Sequence, residues 1–238
     1  MRRRPARPAG RGDTPGPRSI PMFKPDGGTR WLTVLDPADD GAYRASVDSL
    51  VGRIERSLGP EVVAVRARRD DAGWTLAPWR PARATWRSSI RRAILDAPAA
   101  TFAVADVRDC YASISVETIT ALLGPEGAQA SALLQRFHER GVRGLPIGPE
   151  PSAVLANAAL SRLDRAIRSA GARHLRWVDD VVLWGQADEV RAAMEAMRTA
   201  GEAIGLDLHG DKTRIFDDRA EASLVLLGER DSSIIAAP

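Results

Sequence analysis

Apolar positions repeat along the chain with two periods, about 3.6 and 2, and these predict the elements. Tyr43, Val47, Leu50, Val51, Ile54 and Leu58 recur at helical spacing, so a helix is expected over 39–58, ended by Gly59-Pro60. Further helices are expected over 84–95, 116–123, 125–140, 150–169 and 187–204. Short β-like runs are read at 21–24, 30–35, 62–65, 102–107, 173–178, 181–184, 213–216 and 223–227. From 102 to 216 the predicted order is β, helices, β, β, α, β, an α+β pattern of the ferredoxin-like split βαβ kind. Residues 1–19 carry Pro, Gly and Arg with no apolar period and read as a disordered basic arm. Residues 20–100 form a first region and 101–238 a second.

Composition narrows the classes. The chain has 238 residues, 44% hydrophobic and 27% charged, enough to bury a core. No run of about 18 apolar residues suggests a membrane span, and no secretory h-region follows the basic start. A cytoplasmic protein with no membrane partner is therefore expected. One cysteine, Cys110, argues against a disulfide framework or a cysteine zinc cluster. Of the net charge of +3, the arm 1–19 carries +5, from six arginines and Asp13, which leaves −2 for the rest. Only two of the 34 basic residues are lysines, Lys24 and Lys212.

Candidate chemistry concentrates on two strands. Phe102-Ala-Val-Ala-Asp106 is an apolar strand running straight into a carboxylate, which is costly unless a cation or donor meets it. Asp109, three residues on, reads as a helix cap or turn residue. Asp-Asp occurs four times, but only Asp179-Asp180 is framed by apolar β residues, so it is expected as the two-residue tip of a buried hairpin. In the split βαβ order that hairpin lies beside Asp106, and three carboxylates converge. Hard oxygen ligands without nearby Cys or His suit Mg²⁺ or Mn²⁺, and paired metals suit phosphoryl transfer. The competing reading is a structural ion-pair cluster with Arg108 or Arg176.

Six motifs in order then resemble the reverse transcriptases, polymerases of the right-hand type. Asp106-Val-Arg-Asp-Cys-Tyr111 resembles the first palm motif, and Trp177-Val-Asp-Asp180 the aromatic-x-Asp-Asp hairpin. Gly144-Leu-Pro-Ile-Gly-Pro-Glu-Pro-Ser152 resembles the Leu-Pro-x-Gly-x-x-x-Ser motif. Lys24-Pro-Asp-Gly-Gly-Thr-Arg30 resembles the fingers motif, Gly205 to Lys212 the lysine motif, and Leu226-Leu227-Gly228 the primer-grip hairpin. The Gly-Pro-x-x-Ser variant looks like bacterial chromosomal enzymes, including defence-associated ones.

The resemblance implies a palm over 101–238 with a primer-grip-like hairpin, a fingers-like region over 20–100, and no segment left for a thumb. A second chain would then supply the grip, or processivity would be poor, or the chain would be a fragment. It implies an RNA-directed DNA polymerase with two Mg²⁺ ions (Mn²⁺ as a substitute), a template-primer of RNA or DNA, and dNTPs. Asp106, Asp179, Asp180 and the Val107 carbonyl would serve the metals. Lys212 would act as general acid. Lys24, Arg30, Tyr111 and Gly148 would face the nucleotide, with Tyr111 under the sugar. From the residues themselves, Arg83, Arg87 and Arg91 share one helical face that could follow a phosphate backbone. Plainer readings stand beside these: a solvated hairpin for Lys24 and Arg30, a core aromatic for Tyr111, a strand-edge charge for Lys212, a solvated face for the arginines. Two other functions fit the same pattern: a catalytically weak nucleic-acid-binding derivative, and a template-independent nucleotidyltransferase on the same palm.

Overall fold

The structure is a computed structural model describing residues 16–23, 27–71, 73–97 and 99–228. A first hairpin, β1 (Arg18–Phe23) and β2 (Thr29–Val34), is followed by α1 (Pro37–Ser57). Asp36 caps α1 by accepting the N–H groups of Ala38 and Asp39, each at 2.9 Å, and Pro37 needs no partner at the first helical position. The predicted stripe from Tyr43 to Ile54 is buried. A second hairpin, β3 (Ala67–Asp70) and β4 (Gly73–Leu76), leads into α2 (Trp79–Asp96).

The remaining elements build one four-stranded sheet with its helices. They are β5 (Thr101–Asp106), α3 (Cys110–Ser113), α4 (Val116–Leu123), α5 (Ala128–Glu139) and α6 (Glu150–Ser169). Then come β6 (Arg173–Trp177), β7 (Asp180–Gly185), α7 (Ala187–Glu202), a 3₁₀ turn at Gly210–Lys212, β8 (Arg214–Phe216) and α8 (Arg219–Leu227). The sheet order is β6-β7-β5-β8, and all three pairings are antiparallel. That is the expected α+β, ferredoxin-like split βαβ arrangement, with β5 and β7 at the centre.

Strand parity sorts the two faces. Ala103, Ala105, Val181 and Leu183 join residues of α1, α4, α5, α6 and α7 in the larger core. Phe102, Val182, Trp184, Leu175 and Phe216 pack with Trp86, Ile90 and Ile94 of α2 and with Ala222 and Leu227 of α8. Asp106 and Asp180 have the parity of this second face.

Several sequence expectations are corrected. The run 223–227 is not a strand, and no primer-grip-like hairpin forms there, because 219–227 is helical. Asp218 caps that helix by accepting the Ala220 and Glu221 N–H groups, and Gly228 ends it in a left-handed conformation at φ 67°. A run of four apolar residues does not distinguish strand from helix, and the cap decides it. The run 62–65 makes a single parallel bridge, Val62 to Arg176, and Val65 turns left-handed at φ 50°. Helix α2 starts at Trp79 rather than Ala84, because Pro81 lies in the first turn, where a missing N–H breaks no helical bond. Strand β1 begins at Arg18, within the stretch expected to be a disordered arm; residues 1–15 lie outside the described residues.

Candidate active site

Strand β5 delivers Asp106 to the end of the central ladder. In its register with β7, Thr101 pairs with Gly185 and Asp106 pairs with Asp180. Directly opposed residues on antiparallel strands have Cβ atoms about 4.5–5.5 Å apart, so the two carboxylates share one edge of the sheet. Asp179 occupies the β6–β7 turn. The turn itself differs from expectation: its two residues are Val178 and Asp179, and Asp180 already belongs to β7, opposite Trp177. Val178 is left-handed at φ 56°, a conformation that β-branched residues avoid. The Val107 N–H donates to the Asp179 carbonyl at 3.2 Å and fastens the turn to β5.

The segment after α7 closes the other side. His209 N–H donates to the Asp106 carbonyl at 2.8 Å, and Arg108 N–H donates to the Asp207 carbonyl at 2.8 Å. The 3₁₀ turn that follows presents Lys212, whose Nζ lies 3.2 Å from Asp106 Oδ2. Asp106 is only 8% exposed, so this ammonium meets a charge that has lost most of its water.

Electrostatics mark the three carboxylates as mutually repelling. Asp180 is exposed at the strand end, yet partial loss of hydration, then the charges of Asp179 and Asp106, pushes it up to about 6, against the pull of Lys212 and Arg83. Burial and the Asp106 charge raise Asp179, while its own backbone N–H, Arg30 and Lys212 oppose the rise. Burial works against the charge on Lys212, but the hydrogen bond and charge of Asp106, then Asp180 and Asp179, raise it overall. Burial, Cys110 and Asp179 raise the Tyr111 phenol, with Arg30 pulling the other way. Arg30 and Tyr111 therefore share the field of the carboxylates.

The glycine-rich loop braces Tyr111. Leu145 N–H donates to the Tyr111 carbonyl at 2.8 Å. Gly144, at φ 62°, lies so close that a Cβ would collide with the carbonyls of Tyr111 and Ala112. Gly148, at φ 126°, turns the loop against β2, where Thr33 N–H donates to the Ile147 carbonyl at 2.7 Å. Ser152 is buried in the first turn of α6, with its hydroxyl 3.1 Å from the Tyr43 hydroxyl. Asp109 precedes α3 in a left-handed conformation, and its carbonyl rather than its side chain receives the Ser113 N–H.

The arginines of α2 divide. Arg83 stacks over the Trp177 ring at 5.3 Å and reaches the field of Asp180. Arg87 donates to the Leu227 carbonyl at 3.2 Å and so ties α2 to α8. Arg91 lies further along the exposed face of α2. Lys24 lies outside the described residues.

Neither arginine of the ion-pair alternative is bound to these carboxylates. Arg176 is fully buried and grips Asp164 of α6. Sequence reading missed Asp164 and Asn157 as its partners, since a helix and a hairpin tip carry no local signal of their contact.

The donor set suits a hard divalent cation: three carboxylates, with charge repulsion for a cation to relieve. Among the described residues no three such side chains already stand close enough together to hold an ion, and Asp106 is turned to Lys212.

A family model described as reverse transcriptase (RNA-dependent DNA polymerase) matches residues 76–227. No curated protein sequence matches the chain. Among solved structures it is similar to apo telomerase from Candida tropicalis truncated from its C-terminal domain, with a TM-score of 0.52 and 11% sequence identity. That likeness covers 84% of this chain and 49% of the telomerase chain, so the protein spans about half of that relative, and at this identity the likeness speaks for the fold. The family match takes in β5, the Asp179-Asp180 hairpin and the lysine turn, well over half of the sequence, and the chain belongs to the reverse transcriptase family.

Proposed function

We propose that the protein is an RNA-directed DNA polymerase that adds dNTPs to a primer 3′-hydroxyl. The observation that supports this most is the gathering of Asp106, Asp179 and Asp180 at one sheet edge beside Lys212, with the charge of Arg30 acting on Asp179. Asp106, Asp179, Asp180 and the Val107 carbonyl would hold two Mg²⁺ ions, with Mn²⁺ as a substitute. Bound there, the ions would supply Lewis-acid stabilisation of the attacking and leaving oxygens.

The other roles fall to the chain itself. Arg30 binds the β- and γ-phosphates as a bidentate donor, and Lys24 contributes a point charge to the same phosphates. Tyr111, braced by the Gly144–Gly148 loop, carries the sugar. Lys212 is protonated at neutral pH and stands ready to give a proton to the leaving pyrophosphate. Arg83, Arg87 and Arg91 lie along a path for the duplex backbone on the face that holds the carboxylates. In this reading, residues 20–100 serve as fingers and 101–238 as palm, and positioning with electrostatics supplies most of the rate.

The test is primer extension on RNA and DNA templates with Mg²⁺ or Mn²⁺, run beside Asp179→Ala. Templated dNTP addition that the variant loses supports the reading. Nucleic-acid binding without synthesis by either protein overturns it, and untemplated tailing replaces it with a template-independent nucleotidyltransferase.

A further inference from the structure

Arg176 is the largest charged side chain in the core, at 0% exposure. Its strand parity is opposite to that of Asp180, so it points away from the carboxylate edge and into the helical layer. There it makes four hydrogen bonds. Nε donates to Asp164 Oδ1 at 2.8 Å and one terminal nitrogen to Asp164 Oδ2 at 2.9 Å. The other terminal nitrogen donates to Asn157 Oδ1 at 2.9 Å and to the Val178 carbonyl at 3.0 Å. Asp164 is also 3.3 Å from His174 Nε2. Burial alone would raise the Asp164 carboxyl, but His174 and Arg176 hold it below its ordinary range.

The cluster reaches further than one pair. Asn157 donates to the Val65 carbonyl at 3.0 Å, and the backbone of Arg176 bonds to Glu61 and Val63. The guanidinium thus joins helix α6 to the hairpin turn, while the backbone of Arg176 and the side chain of Asn157 tie in the segment 61–65. The turn it holds is the one with a left-handed valine. Val178 has no steric preference for φ 56°, and an external bond must offset that cost. The next residue is Asp179.

We infer that Arg176, anchored by Asp164 and Asn157, is a positioning residue that clamps the Val178 carbonyl and thereby aims the Asp179 carboxylate at its cation. This rests on the proposed metal-dependent reading of the carboxylates. A charge buried merely to fill the core would need no bond to the turn, and Arg176 spends one arm of its fork there.

Arg176→Met/Asp164→Val tests this in the full-length protein. Removing both charges together avoids leaving one buried and unpaired, so the fold is retained while the clamp is lost. The readout is Mn²⁺ bound in the absence of nucleic acid, with free Mn²⁺ counted by electron paramagnetic resonance and folding followed by thermal melting. The expected result is a folded variant whose Mn²⁺ affinity is weaker by roughly 10–100-fold, the usual cost of losing a supporting contact. Adding Val178→Gly should recover part of that loss, since glycine adopts the left-handed turn unaided.

A folded double variant with wild-type affinity, or a wild type that binds no Mn²⁺, overturns the inference. Should the double variant fail to fold, Arg176→Lys keeps the charge on Asp164 without the fork. Weakened Mn²⁺ binding that Val178→Gly restores then supports the clamp, and unchanged binding overturns it. Neither measurement needs polymerisation, so a protein that binds Mn²⁺ but extends no primer refutes the proposed function and leaves the clamp standing.

Discussion

Asp106 and Asp180 face each other across the last rung of the β5–β7 ladder, with Asp179 beside them in the turn. Like charges directly opposed on a sheet destabilise it, and Lys212 meets only the Asp106 member of the group. Without divalent cations, Asp180→Asn should therefore stabilise the fold by about 1 kcal/mol, a rise in Tm of ~2–4 °C for a chain of this size. The same substitution should cripple primer extension. Thermal melting in EDTA beside an extension assay checks both, and a lowered Tm would refute the repulsion.

The same repulsion sets a pH dependence. Asp180 is raised from 3.8 to about 6, so between those values the folded protein binds more protons than the unfolded chain. Stability without metal should rise as pH falls through about 6 toward 4, and Asp180→Asn should flatten that slope. Added Mg²⁺ should stabilise more at pH 7.5 than at pH 5.5, because protons compete for the same oxygens. Melting curves over this range, with and without Mg²⁺, decide it.

Lys212 is more than half exposed but its partner Asp106 is nearly buried, so Lys212→Met leaves that carboxylate unpaired and should lower stability by about 1–3 kcal/mol. Its effect on chemistry should be larger. A lost general acid costs roughly 10²–10⁴-fold in the chemical step. Single-turnover dNTP addition should slow accordingly while dNTP affinity changes little. An unchanged rate would leave Lys212 as a counter-charge to Asp106 only.

Gly144→Ala should be among the most damaging single changes, at about 1–3 kcal/mol. It combines a left-handed backbone with a Cβ driven into the Tyr111 and Ala112 carbonyls. The Leu145 bond to the Tyr111 carbonyl would break with it, so nucleotide affinity should fall together with stability. Chemical denaturation and dNTP titration measure the two effects.

Arg83 is the α2 arginine tied most directly to the carboxylate edge, through Trp177 and the field of Asp180. Arg83→Ala should weaken primer-template binding uniformly across sequences and lower the salt slope by about 1. Arg87→Ala should act on stability as well, because it loses the bond to Leu227 that ties α2 to α8. Binding measured from low to moderate salt separates the two.

Much of this protein is legible in its sequence, for a local reason. The stripe of α1, the helix over 116–123 and the strand running into Asp106 follow from periodicity and caps alone, and the order of elements already dictates a split βαβ sheet. Asp106, Asp179, Asp180 and Lys212 also stand out, since carboxylates framed by apolar strands and one of only two lysines are unusual in any context. Where apolar runs are short, local signals fail: 223–227 became a helix because Asp218 caps it, and Val178 replaced Asp180 in the hairpin turn because the register with Trp177 shifted the tip by one residue. Only tertiary structure decided which partner each charge would take. Arg176 grips Asp164 on the preceding helix, Lys212 reaches Asp106 from the turn before β8, and Arg83 stacks on Trp177. The last two pairings join residues far apart along the chain, and all three are settled by burial and by the direction each side chain takes from its sheet face, which no stretch of sequence records by itself.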